Sequence, residues 1–292
     1  MHVCVNSLCA HRKIALGVIA VAIGSSIAVA WVSMSIVASA TADDADERQN
    51  KSPATQQKDS SVERGEPVAV VELFTSEGCS SCPPADKNLQ RLAKLGMTTH
   101  PNLIPLSFHV DYWNDLGWTD PLSQSAFSDR QREYAAAMQK RNVYTPQMIV
   151  NGQVEFVGSD QKVSDKAIEI ALQTPVKHLV DLTIPEVRAG QKPQLRYHVE
   201  AVNPANDTEL DYVLNIAIVS ERETFKVPRG ENGGKKLSHA WVVKSFVTLS
   251  LKGPDGVLDL DPKQIKPGHS RLVGYVQTKE TWAITGASAI EL

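Results

Sequence analysis

The chain has 292 residues, room for one large domain or two ordinary ones plus a leader. Its formal charge of −3, from 30 basic and 33 acidic residues, gives no electrostatic reason to expect nucleic-acid binding. An apolar share of 42% excludes disorder of the whole chain.

The N-terminus has the layout of an export signal. His11-Arg12-Lys13 is a basic flank, residues 14–37 are almost wholly apolar, and Ala38-Ser39-Ala40-Thr41-Ala42 offers small-residue cleavage sites. The apolar run is also long enough to span a bilayer, so residues 1–42 read as a cleaved signal peptide or a retained membrane anchor. Asp43, Asp44, Asp46 and Glu47 follow, which keeps the basic side cytoplasmic. The bulk of the protein is therefore expected to be exported: periplasmic, secreted, or anchored on the extracytoplasmic side. Cys4 and Cys9 precede the apolar run, which leaves Cys79 and Cys82 as the exported thiols. Residues 43–66 are polar, lack apolar periodicity and read as a flexible tether.

From 67 to 177 the pattern is α/β. Val68 to Phe74 reads as a buried strand, and Cys79-Ser80-Ser81-Cys82 follows at the turn into a helix opening at Pro83-Pro84. Leu89, Leu92 and Leu95 give that helix its apolar stripe. Leu103 to Val110 is a second strand, and a helix is expected over residues 121–141. Thr145-Pro146 then precedes the strand Gln147 to Val150, Asn151-Gly152 is a hairpin turn, and Val154 to Val157 returns. Ser159 or Asp160 caps a final helix. This β-α-β-α-β-β-α order resembles the thioredoxin fold, which implies that Pro146 is cis and lies beside the dithiol, with Thr145 presenting its backbone to a substrate strand.

From 178 to 292 the texture changes to alternating strands. Val180 to Ile184, Leu195 to Val199, Tyr212 to Val219, Trp241 to Leu251, Leu272 to Gln277 and Ala283 to Ile290 are the candidates. Turn signals separate them, among them Gly253-Pro254-Asp255-Gly256 and Pro267-Gly268. The fold expected is thus an α/β thioredoxin-like domain followed by a mainly antiparallel, sandwich-like β domain.

Cys79 and Cys82 carry the chemistry. A thiol at a helix N-terminus faces unpaired N–H groups and the positive end of the helix dipole, which favours the thiolate that attacks in disulfide exchange. Cys79 is the expected nucleophile and the more exposed sulfur, with Cys82 resolving the mixed disulfide. The redox-active disulfide is its own working group, and no further cofactor is required. A structural disulfide is the alternative in an oxidising compartment, although so short a loop gains little from closure. A copper-binding or delivery protein is another, with Cys79, Cys82 and His109 as soft and borderline ligands.

Four stretches carry a more specific resemblance: Val70 to Asp86, Phe108 to Trp118, Val143 to Gly152 and Arg229 to His239. They make the chain similar to an exported bacterial family, domain of unknown function family 1223. The resemblance implies a thioredoxin-like domain with an appended β domain and a redox role. The resemblance supplies no substrate; the Cys79–Cys82 pair itself points to a protein or small-molecule thiol or disulfide as partner.

The remaining candidates surround the dithiol. Glu72 is an acid in an apolar strand, and in a thioredoxin-like layout such an acid accepts the resolving thiol's proton. A solvent-facing or Arg-paired Glu is the alternative. His109, Asp111, Tyr112 and Trp113 end the second strand, where ligands gather in open α/β sheets. His109 is placed to bond Asp111 or to act as a general acid–base, with a packed structural histidine as the alternative. The Arg229-Gly230-Glu231-Asn232-Gly233-Gly234 segment lacks the strand-to-helix context of a phosphate loop. It is expected to lie, with His239, over Cys79 and to restrict access.

Overall fold

The computed structural model describes residues 62–186, 192–206 and 211–292, which fall within one compact unit. The expected signal or anchor at 1–42 and nearly all of the tether lie outside the described residues. Among the described residues no helix is long and apolar enough to cross a membrane.

The chain alternates first and then turns to strands. In order come β1 (Ala69–Thr75), α1 (Pro83–Thr98), β2 (Leu103–His109), α2 (Ser125–Ala137), β3 (Gln147–Val150), β4 (Val154–Val157) and α3 (Gln161–Ala171). Then follow β5 (His178–Thr183), β6 (Gln194–Ala201), β7 (Tyr212–Lys226), β8 (Lys236–Ser250), β9 (Asp255–Asp259), β10 (Ser270–Thr278) and β11 (Ile284–Glu291). Eight strands form one mixed sheet in the order β11-β10-β7-β8-β2-β1-β3-β4. A second sheet has the order β5-β6-β9.

The inner strand β1 runs parallel to β2 and antiparallel to β3. Covered on both sides, it is buried at every residue, which is why its sequence reads as a near-continuous apolar run. Leu73 and its same-face neighbours pack on Ala85, Leu89 and Leu92 of α1 and on Ala167 and Ile168 of α3. Phe74 instead joins Phe108, Phe127 and Tyr134 on the face that α2 covers. Pro83 and Pro84 open α1 where N–H groups lack helical partners anyway, and Asp160 caps α3 by accepting from the Val163 N–H.

The two segments read from the sequence share the large sheet. Strand β8 pairs with β2 in parallel at Ser107 and Val242. Ala217, Val219, Val273 and Tyr275 enter the same cluster as Phe74 and Phe108. On the other side, Val180, Leu182, Leu195 and Val199 of the small sheet pack on Leu214, Ile216 and Ile218 of β7.

Strands β7 and β8 are longer than their apolar cores predict, 15 residues each. Beyond Val219 and before Trp241 they form an extended hairpin arm, pairing Glu223 with His239 and Lys226 with Lys236. A register shift at Ile218/Val219 marks where the arm begins, and Trp241 there has a left-handed φ of 49°. That arm brings the loop at 227–235 back over the first half of the chain.

Candidate functional site

Cys79 and Cys82 are joined as a disulfide between the end of β1 and the start of α1, with Cys82 as the helix N-cap. Both residues are fully buried, at 0% exposure. The expectation of a more exposed Cys79 is therefore corrected. Only Ser80 and Ser81, between them, face outward.

The loop from the hairpin arm supplies the cover. Ser80 N–H donates to Glu231 Oε2 at 3.0 Å. The buried Asn232 amide donates to the Glu77 and Cys79 carbonyls, each at 2.9 Å, and Lys235 Nζ holds its Oδ1 at 2.9 Å. Glu231 and Asn232 thus clamp the backbone on both sides of Cys79. Arg229 is exposed at the near end of the loop.

Beside the motif lies a cluster of buried ionisable groups. His239, 2% exposed, places Nε2 3.3 Å from Glu77 Oε1 and Nδ1 3.7 Å from Asp86 Oδ1. The second distance makes Asp86 an electrostatic neighbour, not a hydrogen-bond acceptor. Thr75 Oγ1 donates to Asp86 at 2.9 Å, and Trp118 Nε1 donates to Glu77 Oε2 at 2.9 Å. The His239 ring meets the His109 ring edge-on at 4.6 Å, and His109 Nδ1 bonds Asp120 Oδ2 at 2.6 Å. Asp120 also accepts from the Glu77 N–H at 2.8 Å.

Burial opposes charge on these groups, and their partners override it. It acts to lower the His239 imidazole, but Asp86 and Glu77 hold that ring up at about 10. It acts to raise the Asp120 carboxyl, but His109 and the N–H groups of Glu77 and Leu122 bring it down to about 2. His239 is thus an imidazolium at neutral pH.

The other expected residues divide. The Thr145–Pro146 bond is cis. Trp113 Nε1 donates to Thr145 Oγ1 at 2.8 Å and packs so closely on Gly78 that a Cβ there would lie 3.1 Å from Trp113 Cβ. Trp113 therefore links the segment before Pro146 to the residue preceding Cys79. Tyr112 turns to α2, donating to Gln131 Oε1 at 3.0 Å, and its hydroxyl is pushed up to about 12, chiefly by burial. Asp111 also faces α2, bonded to Ser128, so the His109–Asp111 pairing is replaced by His109–Asp120.

Glu72 is not brought to the disulfide. Strand alternation puts it on the α2 face, opposite the face on which Leu73 meets α1. There Arg130 Nε and Nη2 donate to its two oxygens at 2.9 and 3.1 Å, and Tyr134 and Tyr275 donate as well. The Arg-paired alternative describes it, and the proton-acceptor role does not. Cys79, Cys82 and His109 are likewise not gathered as a ligand set: among the described residues no group of three or more His, Cys, Asp or Glu is arranged to hold a metal ion.

The structure adds Glu77, Asp86, Trp118 and Asp120 to the residues around the disulfide. Glu77 and Asp86 flank the cysteines and were legible as charges, whereas the partnership of Asp120 with His109 depends on a loop of no regular periodicity.

The profile of the family described as "Protein of unknown function (DUF1223)" matches residues 70–277, a span that includes the disulfide, Pro146, the closing loop and His239. A crystal structure of protein AGR_C_4864 from Agrobacterium tumefaciens is similar at 28% identity and a TM-score of 0.57, over 77% of this chain and 95% of that one. HBP35 of Porphyromonas gingivalis is similar in fold alone, at 13% identity and a TM-score of 0.54, over 78% of this chain and 76% of that one. A search of curated proteins gives no match.

Proposed function

The chain belongs to the DUF1223 family, and on that premise we propose that it is an exported thiol–disulfide oxidoreductase with a thioredoxin-like site, Cys79–Cys82 being its working group. The observation that carries this is the surroundings of the pair: a disulfide closing a very short loop, flanked by buried Glu77, Asp86 and His239. Closing so short a loop contributes little to stability, and the ionisable groups buried beside it are kept charged by pairing with one another. Reactive cysteines sit in electropositive, partly exposed places; here the imidazolium of His239 supplies the positive charge, and access depends on the covering loop.

In the exchange, a thiolate of a partner dithiol attacks Cys79 Sγ. The Cys79–Cys82 bond breaks, and Cys82 leaves as a thiolate that takes up a proton. The second partner thiol, losing its proton, then attacks the partner sulfur of the mixed disulfide, and Cys79 leaves as a thiolate that takes up a proton in turn. The products are a partner disulfide and the protein's two thiols; the reverse sequence reduces a partner disulfide. The basic and apolar leader carries the protein out of the reducing cytoplasm into a compartment in which the resting pair stays oxidised.

Because both sulfurs are covered, the exchange requires the loop bearing Glu231 and Asn232 to move aside. The same burial favours a second reading, a binding module with an inert disulfide. Cys82→Ser separates the two. The exchange function predicts mixed disulfides trapped through Cys79 in the exported compartment, abolished by Cys79→Ser. An absence of trapped species across several redox buffers, including in the Cys82→Ser/Asn232→Ala double variant, supports the inert module.

A further inference from the structure

We propose that His239 is a positioning residue for this exchange: its ring is wedged between the two flanks of the disulfide and offsets the carboxylates that would otherwise oppose a thiolate there. This rests on the exchange function above. Glu77 lies two residues before Cys79, and Asp86 lies four residues after Cys82 in the first turn of α1. His239 reaches both, at 3.3 and 3.7 Å, from a strand more than 150 residues further along the chain. Among the described residues its buried Nδ1 has no hydrogen-bond partner, so that nitrogen's role is electrostatic.

The charged groups facing the ring can be named from each packed element. The β1–α1 turn contributes Glu77 and helix α1 contributes Asp86. The end of β2 contributes His109, backed by Asp120. From β7, Glu223 pairs directly across from His239 and lies 3.6 Å from both Lys244 and Lys266. Next to the motif, then, the Glu77 and Asp86 carboxylates have one imidazolium between them, while on the loop side Glu231 accepts from the Ser80 N–H and Lys235 holds Asn232. Breaking the S–S bond adds negative charge to this region as the leaving sulfur departs. A thiolate near uncompensated carboxylates is disfavoured, so the imidazolium lowers the energy of the species that exchange requires. The cation is built into β8, and the same hairpin arm carries Asn232, so opening and charge are handled by one element.

The inference makes a signed prediction that a merely structural histidine would not. In the reduced protein, the thiol titration is followed by ultraviolet thiolate absorbance, a readout that does not depend on access to the sulfur. His239→Gln should raise the lower thiol midpoint by about one unit, leaving about tenfold less thiolate at neutral pH. Asp86→Asn and Glu77→Gln should each move it the opposite way. Shifts of the same sign in all variants, or none in any, would overturn the proposal. If His239→Gln does not fold, the two carboxyl variants still decide: a midpoint that stays or rises in both removes it. Opposite shifts without a trapped partner in Cys82→Ser would keep the electrostatic role and remove the exchange function. A trapped partner with absent or uniform shifts would do the reverse.

Discussion

Arg130 shows how one buried side chain organises a core. Its guanidinium sits between Glu72, Tyr134, Tyr275 and Gln277, and over the rings of Tyr134 and Phe246 at 4.9 and 4.8 Å. Glu72, Tyr275 and Gln277 reach Arg130 from other strands, so removing the carboxylate leaves a charge stranded. Such a loss costs about 3–5 kcal/mol. Glu72→Gln is therefore expected to lower unfolding stability by roughly that amount in urea, while leaving the thiol titration of the reduced protein where it was. A changed thiol midpoint in a folded Glu72→Gln protein would return the residue to the redox site. Glu72 was legible in the sequence as an acid that needed an explanation. What decided its role was the parity of the strand, because Leu73 next to it faces α1 and Glu72 cannot.

At the level of elements, the closing loop and the turns make separate predictions. Asn232 is buried and ties two carbonyls flanking the disulfide, and each such bond contributes about 0.5–1.5 kcal/mol net. Asn232→Ala should therefore speed reduction of Cys79–Cys82 by a small dithiol about tenfold, as followed by thiol release under limiting reductant. An unchanged rate would mean that the loop does not limit access. The Asn151-Gly152 turn has φ values of 46° and 68°, and a Cβ on Gly152 would fall 1.9 Å from the Trp282 carbonyl oxygen. Gly152→Ala should lower stability by at least about 1–2 kcal/mol from the left-handed backbone alone, measured by chemical denaturation. That turn was plain in the sequence because its residue types answer to its geometry. The extended arm of β7 was not. The strand expected from Tyr212 stops at Val219, before Glu221, Arg222 and Glu223, since an arm with one face largely in water lacks the apolar repeat that marks a core strand. Strand β9 was hidden for the same reason: it begins at Asp255-Gly256, within the expected turn, and continues through Val257 and Leu258 along the small sheet.

Across the whole molecule, burial of paired ionisable groups gives stability a defined pH profile. His239 titrates ordinarily at 6.5 and is held up at about 10 when folded. Its contribution is full below about 6.5 and is lost as pH rises toward 10. Asp120 moves from 3.8 to about 2, so its contribution is full above 3.8 and is lost as pH falls through the folded value. Thermal unfolding should therefore show its highest midpoint between these limits, and His239→Gln should flatten the alkaline side selectively. A wild-type alkaline limb unchanged by that substitution would contradict the folded-state charge assigned to the ring. The order of elements up to α3 could be read from apolar periodicity and turn chemistry, and so could the Cys pair. The Arg229–Gly234 segment and His239 were expected over that pair, and they meet it there; the individual partners could not be read, because they join segments about 150 residues apart across a shared sheet.

The central claim is that Cys79–Cys82 exchanges with partners instead of bracing the fold. Equilibrating the purified protein in graded thiol–disulfide buffers and counting free thiols gives its midpoint potential. A working pair predicts a value within about −120 to −270 mV, the range of thiol–disulfide oxidoreductases. A midpoint below about −300 mV, where structural disulfides lie, would contradict it.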